Sequence, residues 1–281
     1  MPTENAKIRE LNPAPGERVR VISDLHLGHE RSGIRSLETL RPLMCGCRYL
    51  VVAGDLAETR ACAFQANGLR LKARFEAMCR EEGTELIALA GNHDPNEAVH
   101  VLRLWNGKVA VFHGHALFKV GAPWGWEYLN HKEKCLRLIA SHPQCDTNLE
   151  DRLLLARDMA LLSPPVLRRE NPSRFAPVRF LQHCAWPPSR PLTILTAWAT
   201  MGWRIRRFAN RFFPEAQIVC FGHFHRRAVW KRRGRLYINT GAFFQHARPL
   251  SVDLIERPQI SQIETHIATD LQNAHNSRHS K

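Results

Sequence analysis

Residues 18–33 read RVRVISDLHLGHERSG. Val19, Val21 and Ile22 form a short apolar run, which reads as a buried strand. The run ends on Asp24 and His26, two positions apart, followed by Leu27-Gly28. At a strand end that spacing turns an acid and an imidazole to the same side. On this stretch alone two readings stand: two ligands for a metal ion, or a turn capped by Asp.

The same ending recurs down the chain. Residues 49–53 run into Gly54-Asp55, residues 86–90 into Gly91-Asn92-His93-Asp94, residues 109–112 into His113-Gly114-His115, and residues 218–221 into Gly222-His223-Phe224-His225. Five apolar strands therefore deliver Asp, Asn or His at their carboxyl ends. Stretches between them, such as residues 68–82, are long enough for a helix. That rhythm is β-α-β and favours a largely parallel sheet, in which sites form beyond the carboxyl ends of the strands. A lone His after a strand is usually a packed or surface histidine. Five ligand-type endings in series point to one metal site.

Bulk composition sets the frame. The 281 residues are 44% hydrophobic and 23% charged, which suits one large α/β domain carrying an insertion. Residues 1–17 lack the apolar core of a signal peptide, and no run approaches the roughly 20 apolar residues of a membrane-spanning helix. The expected compartment is the cytoplasm, with no transmembrane segment. None of the eight cysteines forms a C-x-x-C pair, so reduced thiols are expected and a cysteine zinc site is not. A net charge of +14 calls for an anionic partner: nucleic acid, an acidic lipid surface or a phosphorylated substrate. Much of that charge lies between Arg168 and Arg235, where fifteen Lys/Arg face only Glu170 and Glu215.

Taken together, Asp24-Leu25-His26, Gly54-Asp55, Gly91-Asn92-His93-Asp94, His113 and Gly222-His223-Phe224-His225 resemble the calcineurin-like metallophosphoesterase superfamily. Its pattern is D-x-H, G-D, G-N-H-[DE], His, then G-H-x-H. The resemblance implies a metallophosphoesterase β-sandwich of two mixed sheets flanked by helices, with a helical insertion. It implies two divalent ions, Mn²⁺ first and Fe or Zn²⁺ as alternatives, in a mixed oxygen and imidazole shell. By resemblance Asp55 bridges; Asp24, His26 and His225 complete one metal site, and Asn92, His113 and His223 the other. His93 is by resemblance a general acid, with Asp94 either orienting it or capping the turn before Pro95. His115 would stand behind His113. His29 reads as a surface loop histidine near the pocket. Leu236–Ala242 (residues 236–242) looks like the closing strand and turn, with Ala242 in place of the usual Ser and Asn239 structural rather than catalytic. The implied activity is hydrolysis of a phosphodiester or pyrophosphate by metal-activated water. Alternatives are a phosphomonoesterase, a nucleic-acid phosphodiesterase and a non-catalytic scaffold on the same fold. Scaffolds of this kind, such as a retromer subunit, tend to lose the His of G-N-H-D or some ligands, and here none is missing.

The expected organisation is a polar tail over 1–17, a metallophosphoesterase domain over 18–260 with an insertion at about 122–214, and a polar tail over 261–281. Within the insertion, residues 127–162 read as helical with a break at Ser141-His142-Pro143, residues 163–191 as loop, and residues 192–213 as a helix with one aromatic and one basic face. That last helix has three readings: packed on the core, lying on an anionic membrane surface to meet a lipid-linked phosphate at the inner membrane, or lining a nucleic-acid groove. UDP-diacylglucosamine pyrophosphatases resemble this plan but carry G-N-R-D where this chain has Gly91-Asn92-His93-Asp94, so their substrate is not carried over. Bacterial DNA-processing phosphoesterases share the D-L-H-L-G opening.

Overall fold

The computed structural model describes residues 6–125, 128, 131–162, 189–244, 247–257 and 262–268. They fall into two compact units, one of residues 1–60, 64–114 and 215–281, the other of residues 61–63 and 115–214.

Strands of four to seven residues dominate the first unit. In chain order it contains β1 (Ile8–Leu11), β2 (Arg18–Ile22), α1 (Arg41–Met44), β3 (Tyr49–Val52), α2 (Gln65–Glu81), β4 (Glu85–Ala88), β5 (Val101–Leu104), β6 (Val109–Phe112), β7 (Ile218–Phe221), β8 (Ala228–Arg232), β9 (Arg235–Asn239), β10 (Ser251–Arg257) and β11 (Gln262–Ala268). One sheet has the order β1-β5-β6-β7-β9-β8 and the other β11-β10-β2-β3-β4. β3 buries Val51 among Val19, Val21, Val111, Cys220 and Val252, residues drawn from both sheets. Its neighbours Leu50 and Val52 join Phe75, Met78 and Cys79 of α2 and Leu43 and Met44 of α1. Both faces of β3 are therefore covered, which is why its sequence is an unbroken apolar run rather than an alternating one.

A single, largely parallel sheet, which the rhythm alone favours, is not what forms. β2, β3 and β4 are parallel, as are β6, β7 and β9, but β10 and β8 join antiparallel at the flanks. The result is the pair of mixed sheets that the family resemblance implies. Two further differences concern the tails. Residues 8–11 form β1, paired parallel with β5 from Ile8↔Val101 to Leu11↔Leu104. Residues 262–268 form β11, paired antiparallel with β10. Both are edge strands, half open to solvent, so their polar residues hide them in a reading that looks for apolar runs.

Among the described residues, the second unit contains the helices α3 (Lys132–Ser141), α4 (Leu149–Leu161) and α5 (Ser189–Phe212). The expected break falls between α3 and α4. Asn148 ends it, its side-chain oxygen accepting from Glu150 N–H at 2.8 Å to cap α4. Arg152 on α4 is buried, and its guanidinium donates to the carbonyls of Ala116 at 2.8 Å and Cys145 at 3.3 Å. Most of the segment read as a loop, residues 163–188, lies outside the described residues; 189–191 belong to α5.

Candidate metal centre

The loops that leave β2, β3, β4, β6 and β7 bring the candidate ligands of the first unit together. Asp24, His26 and Asp55 are buried to within 1% exposure. The ligand atoms of Asp24, His26, Asp55 and His225 all lie within 4.8 Å of one another. His225 Nε2 stands 3.3 Å from Asp24 Oδ1 and 3.2 Å from His26 Nε2. A second group adjoins the first. Asn92 Oδ1 is 3.1 Å from His113 Nε2 and 2.9 Å from His223 Nδ1. Asp55 Oδ2 faces both groups, 3.6 Å from His26 Nε2 and 3.4 Å from His113 Nε2. Its other oxygen is held by the backbone N–H of His93 at 2.8 Å.

Holding so many ligand atoms in one small volume distorts the chain. Asp24, His26, Asp55, His223 and His225 all have positive φ, at 54°, 48°, 54°, 78° and 52°. Asp and His are among the residues that tolerate this region, but each instance is unfavourable by on the order of 1 kcal/mol. Two glycines permit the close approach. A Cβ on Gly91 would lie 2.2 Å from Asp55 Oδ1, and one on Gly222 would lie 2.2 Å from Asp24 Oδ2. The G that opens G-N-H-D and the G that opens G-H-x-H are thus required by packing against a carboxylate.

The imidazoles are oriented from behind. Glu58 Oε1 accepts from His26 Nδ1–H at 3.1 Å, and the Ala53 carbonyl accepts from His113 Nδ1–H at 2.8 Å. Each bond takes up the Nδ1 proton, so that Nε2 is the nitrogen that faces the cluster. Glu58 Oε2 also holds His93 Nδ1 at 2.8 Å. The His93 side chain is 20% exposed and its ring meets that of His26 edge-on at 4.6 Å. Glu58 therefore takes the orienting place beside His93 that the sequence offered to Asp94. The Asp94 carboxylate instead accepts the backbone N–H groups of Asp55, Leu56 and Gly91 at 2.7–2.9 Å. Three N–H groups from two loops claim its lone pairs, so its place is at the turn. Glu58 went unread because one acid after a G-D turn carries no pattern; its signal is only a carboxylate three residues past Asp55.

The electrostatics follow from burial beside opposite charge. Burial works against ionisation of Asp55, yet His113, His93 and His26 around it hold its carboxyl well below the usual range. Burial likewise disfavours a charged His113, but Asp55 and Asp24 push it up to about 9. Two buried carboxylates thus create a point where positive charge is favoured. The donor set of carboxylate oxygens, an amide oxygen and imidazole nitrogens fits a divalent ion of the Mn, Fe or Zn kind.

Of the remaining histidines, His29 lies beside the centre. Its ring is 6.2 Å from that of His26 and 4.9 Å from Phe64, and burial brings its pKa down to about 4. Phe244 stacks on His225 at 4.8 Å. His115 is buried and belongs to the second unit. Asn239 Oδ1 accepts from Gly241 N–H at 3.1 Å, holding the closing turn.

A model of the family "calcineurin-like phosphoesterase" matches residues 17–227. The DNA double-strand break repair protein Mre11 of Methanopyrus kandleri is 36% identical over 87 residues, 27% of this chain and 19% of that protein. The chain thus matches about a fifth of the length of that curated relative. Among solved structures, Vps29 of Cryptosporidium parvum is 12% identical with a TM-score of 0.39, covering 90% of this chain and 97% of that one. Vps29 of Chaetomium thermophilum is 10% identical with a TM-score of 0.41, at 90% and 97% coverage. A conserved uncharacterized protein of Streptococcus pneumoniae TIGR4, described as a predicted phosphoesterase, is 13% identical with a TM-score of 0.37, at 92% and 91% coverage.

Proposed function

Because the chain belongs to the calcineurin-like phosphoesterase family, we propose that it is a dinuclear metal-dependent hydrolase of a phosphodiester or pyrophosphate. The observation that carries this reading is Asp55, whose Oδ2 lies 3.6 Å from one imidazole nitrogen and 3.4 Å from another, at the meeting of two donor groups. On this reading Asp24, His26, Asp55 and His225 hold one ion, and Asp55, Asn92, His113 and His223 hold the other. Mn²⁺ is assigned first, with Fe or Zn²⁺ served by the same donors. When bound, such a pair polarises the phosphoryl group and supplies a nucleophile from water at neutral pH.

The protein's own contribution is positional and protonic. Glu58 and the Ala53 carbonyl hold His26 and His113 at Nδ1, so that Nε2 of each would be the atom offered to an ion. His93, open to solvent on one side and held at Nδ1 by Glu58, gives the proton at Nε2 to the leaving oxygen. Asn92 supplies a neutral oxygen and so adds no negative charge facing an anionic substrate.

A nucleic-acid phosphodiester is the second reading. It is favoured by residues 226–235, RRAVWKRRGR, with six cations and no acid. They begin at the residue after His225 and include β8 and the turn to β9, whose Lys231, Arg232 and Arg233 are exposed. Such a run suits a polyanion, and the name of the Mre11 relative points the same way.

The test is hydrolysis of bis-p-nitrophenyl phosphate beside p-nitrophenyl phosphate, after metal stripping and Mn²⁺ add-back. Metal-dependent diester turnover is the expected result. Monoester turnover alone would reassign the protein as a phosphomonoesterase. Bound metal with no turnover on either, or on lipid-linked pyrophosphates and DNA, would contradict the hydrolase reading and leave a scaffold. Oligonucleotide cleavage that falls steeply with salt would favour the second reading.

A further inference from the structure

Helix α5 has two apolar faces, and one of them is in solvent. The inner face carries Ala197, Met201, Ile205, Phe208 and Ala209, all buried. Their helical spacing gathers them into one buried stripe. On the opposite side stand Leu192, Leu195, Ala199 and Trp203, whose steps of three and four place them on one stripe. Leu192 is 66% exposed, Leu195 59% and Trp203 51%. A single exposed leucine needs no explanation. Two leucines and a tryptophan in line over about 17 Å do, because a surface helix ordinarily turns polar residues that way. The stripe runs on into Arg206 and Arg207. The Arg207 and Arg204 guanidiniums lie 5.5 Å and 5.9 Å from the Trp203 ring centroid. From residue 189 to residue 213 there is no Asp or Glu.

We propose that this outer face of α5 docks on an anionic lipid bilayer, with the helix lying in the plane of the interface. Leu192, Leu195 and Trp203 enter the boundary between headgroups and acyl chains, and Arg206, Arg207 and Arg211 meet lipid phosphates. Tryptophan beside arginine suits that depth, where one part of the side chain is apolar and the other wet. Charge selects this occupant over the others. A second copy of the chain would set the same acid-free, arginine-bearing face against itself. A nucleic acid would satisfy the arginines and offer nothing to Leu192 and Leu195. Docking of this kind needs no spanning segment, and among the described residues no helix is long and apolar enough to cross a membrane. The inference does not depend on the reaction proposed above.

The test is co-sedimentation of the full chain with phosphatidylcholine vesicles, with and without phosphatidylglycerol. Binding is expected with phosphatidylglycerol and not without it. Leu192→Glu with Leu195→Glu is expected to lower partitioning at least about tenfold, and Arg206→Glu with Arg207→Glu by a similar factor, since each surface arginine contributes about fivefold. Both pairs are open to solvent or at its edge, so circular dichroism and metal content should match the wild type; the arginine pair tests the idea independently should the leucine pair misfold. The leucine pair separates docking by this face from attraction by charge elsewhere on the chain. Wild-type partitioning that both variants retain would overturn the proposal. So would a dimer in light scattering that the leucine pair abolishes without any vesicle binding, or oligonucleotide binding that the arginine pair abolishes without any vesicle binding.

Discussion

The loops behind the candidate metal centre and the helix α5 both break an ordinary rule of folding, but they break different ones. In the loops the backbone is unusual: five candidate ligands sit at positive φ, beside glycines that a methyl group would drive into a carboxylate. In α5 the backbone is an uninterrupted helix from Ser189 to Phe212, and what is unusual is which side chains meet water. A site for chemistry needs specified atoms within a few ångströms, so it constrains conformation residue by residue. A face for docking needs only composition along a stripe, so it leaves the conformation regular.

That contrast can be broken by mutation. The largest effect is expected at Asp55. Asp55→Asn removes the charge that both donor groups share, and metal content and turnover should be lost together; full turnover in this variant would sink the dinuclear reading. His93→Ala comes next. It should keep its metal and lose about 10²–10⁴-fold in turnover, the size expected for a general acid. Metal analysis beside kinetics separates the two roles, and a loss of metal would make His93 a ligand. Glu58→Gln keeps the shape but weakens the hold on His26 and His93. A 10–100-fold loss in metal affinity or activity is expected, read as a shifted Mn²⁺ activation curve; an unchanged curve would remove Glu58 from the centre. Gly91→Ala adds a single methyl 2.2 Å from Asp55 Oδ1. It should cost about 1–3 kcal/mol of stability, measured by denaturant unfolding of the metal-free protein. The smallest stability effect is expected at the outer face of α5, where Leu192→Glu with Leu195→Glu should change unfolding by no more than about 0.5 kcal/mol. A large destabilisation there would mean that the face is packed, and the contrast would fail.

The same contrast explains what could be read from the sequence. β2, β3, β4, β6 and β7 were legible because each is an apolar run that stops at a residue with metal-binding chemistry. β1 and β11 were not, because IREL and QIETHIA are half-exposed edge strands without an apolar run, and the strand that pairs with β1 lies far along the chain. The ligand-type residues announced themselves by spacing, since few uses other than coordination call for Asp-x-His and His-x-His at strand ends. Glu58 carried no such spacing, and its two hydrogen bonds to His26 and His93 become visible only when residues 26, 58 and 93 are folded together. Asp94 stood open between two readings, because it neighbours both His93 and Pro95 in sequence; its carboxylate turns to the backbone of Asp55, Leu56 and Gly91. For residues 192–213 the periodicity gave the helix, but no periodicity says whether a second apolar stripe is covered.

The central claim is a shared carboxylate between two metal sites, and its most direct test is electron paramagnetic resonance of the Mn²⁺-loaded protein alongside metal analysis. The account predicts two ions per chain and the signal of an exchange-coupled pair, both lost in Asp55→Asn. A single uncoupled Mn²⁺ at saturation, or a coupled pair that survives Asp55→Asn, would contradict it.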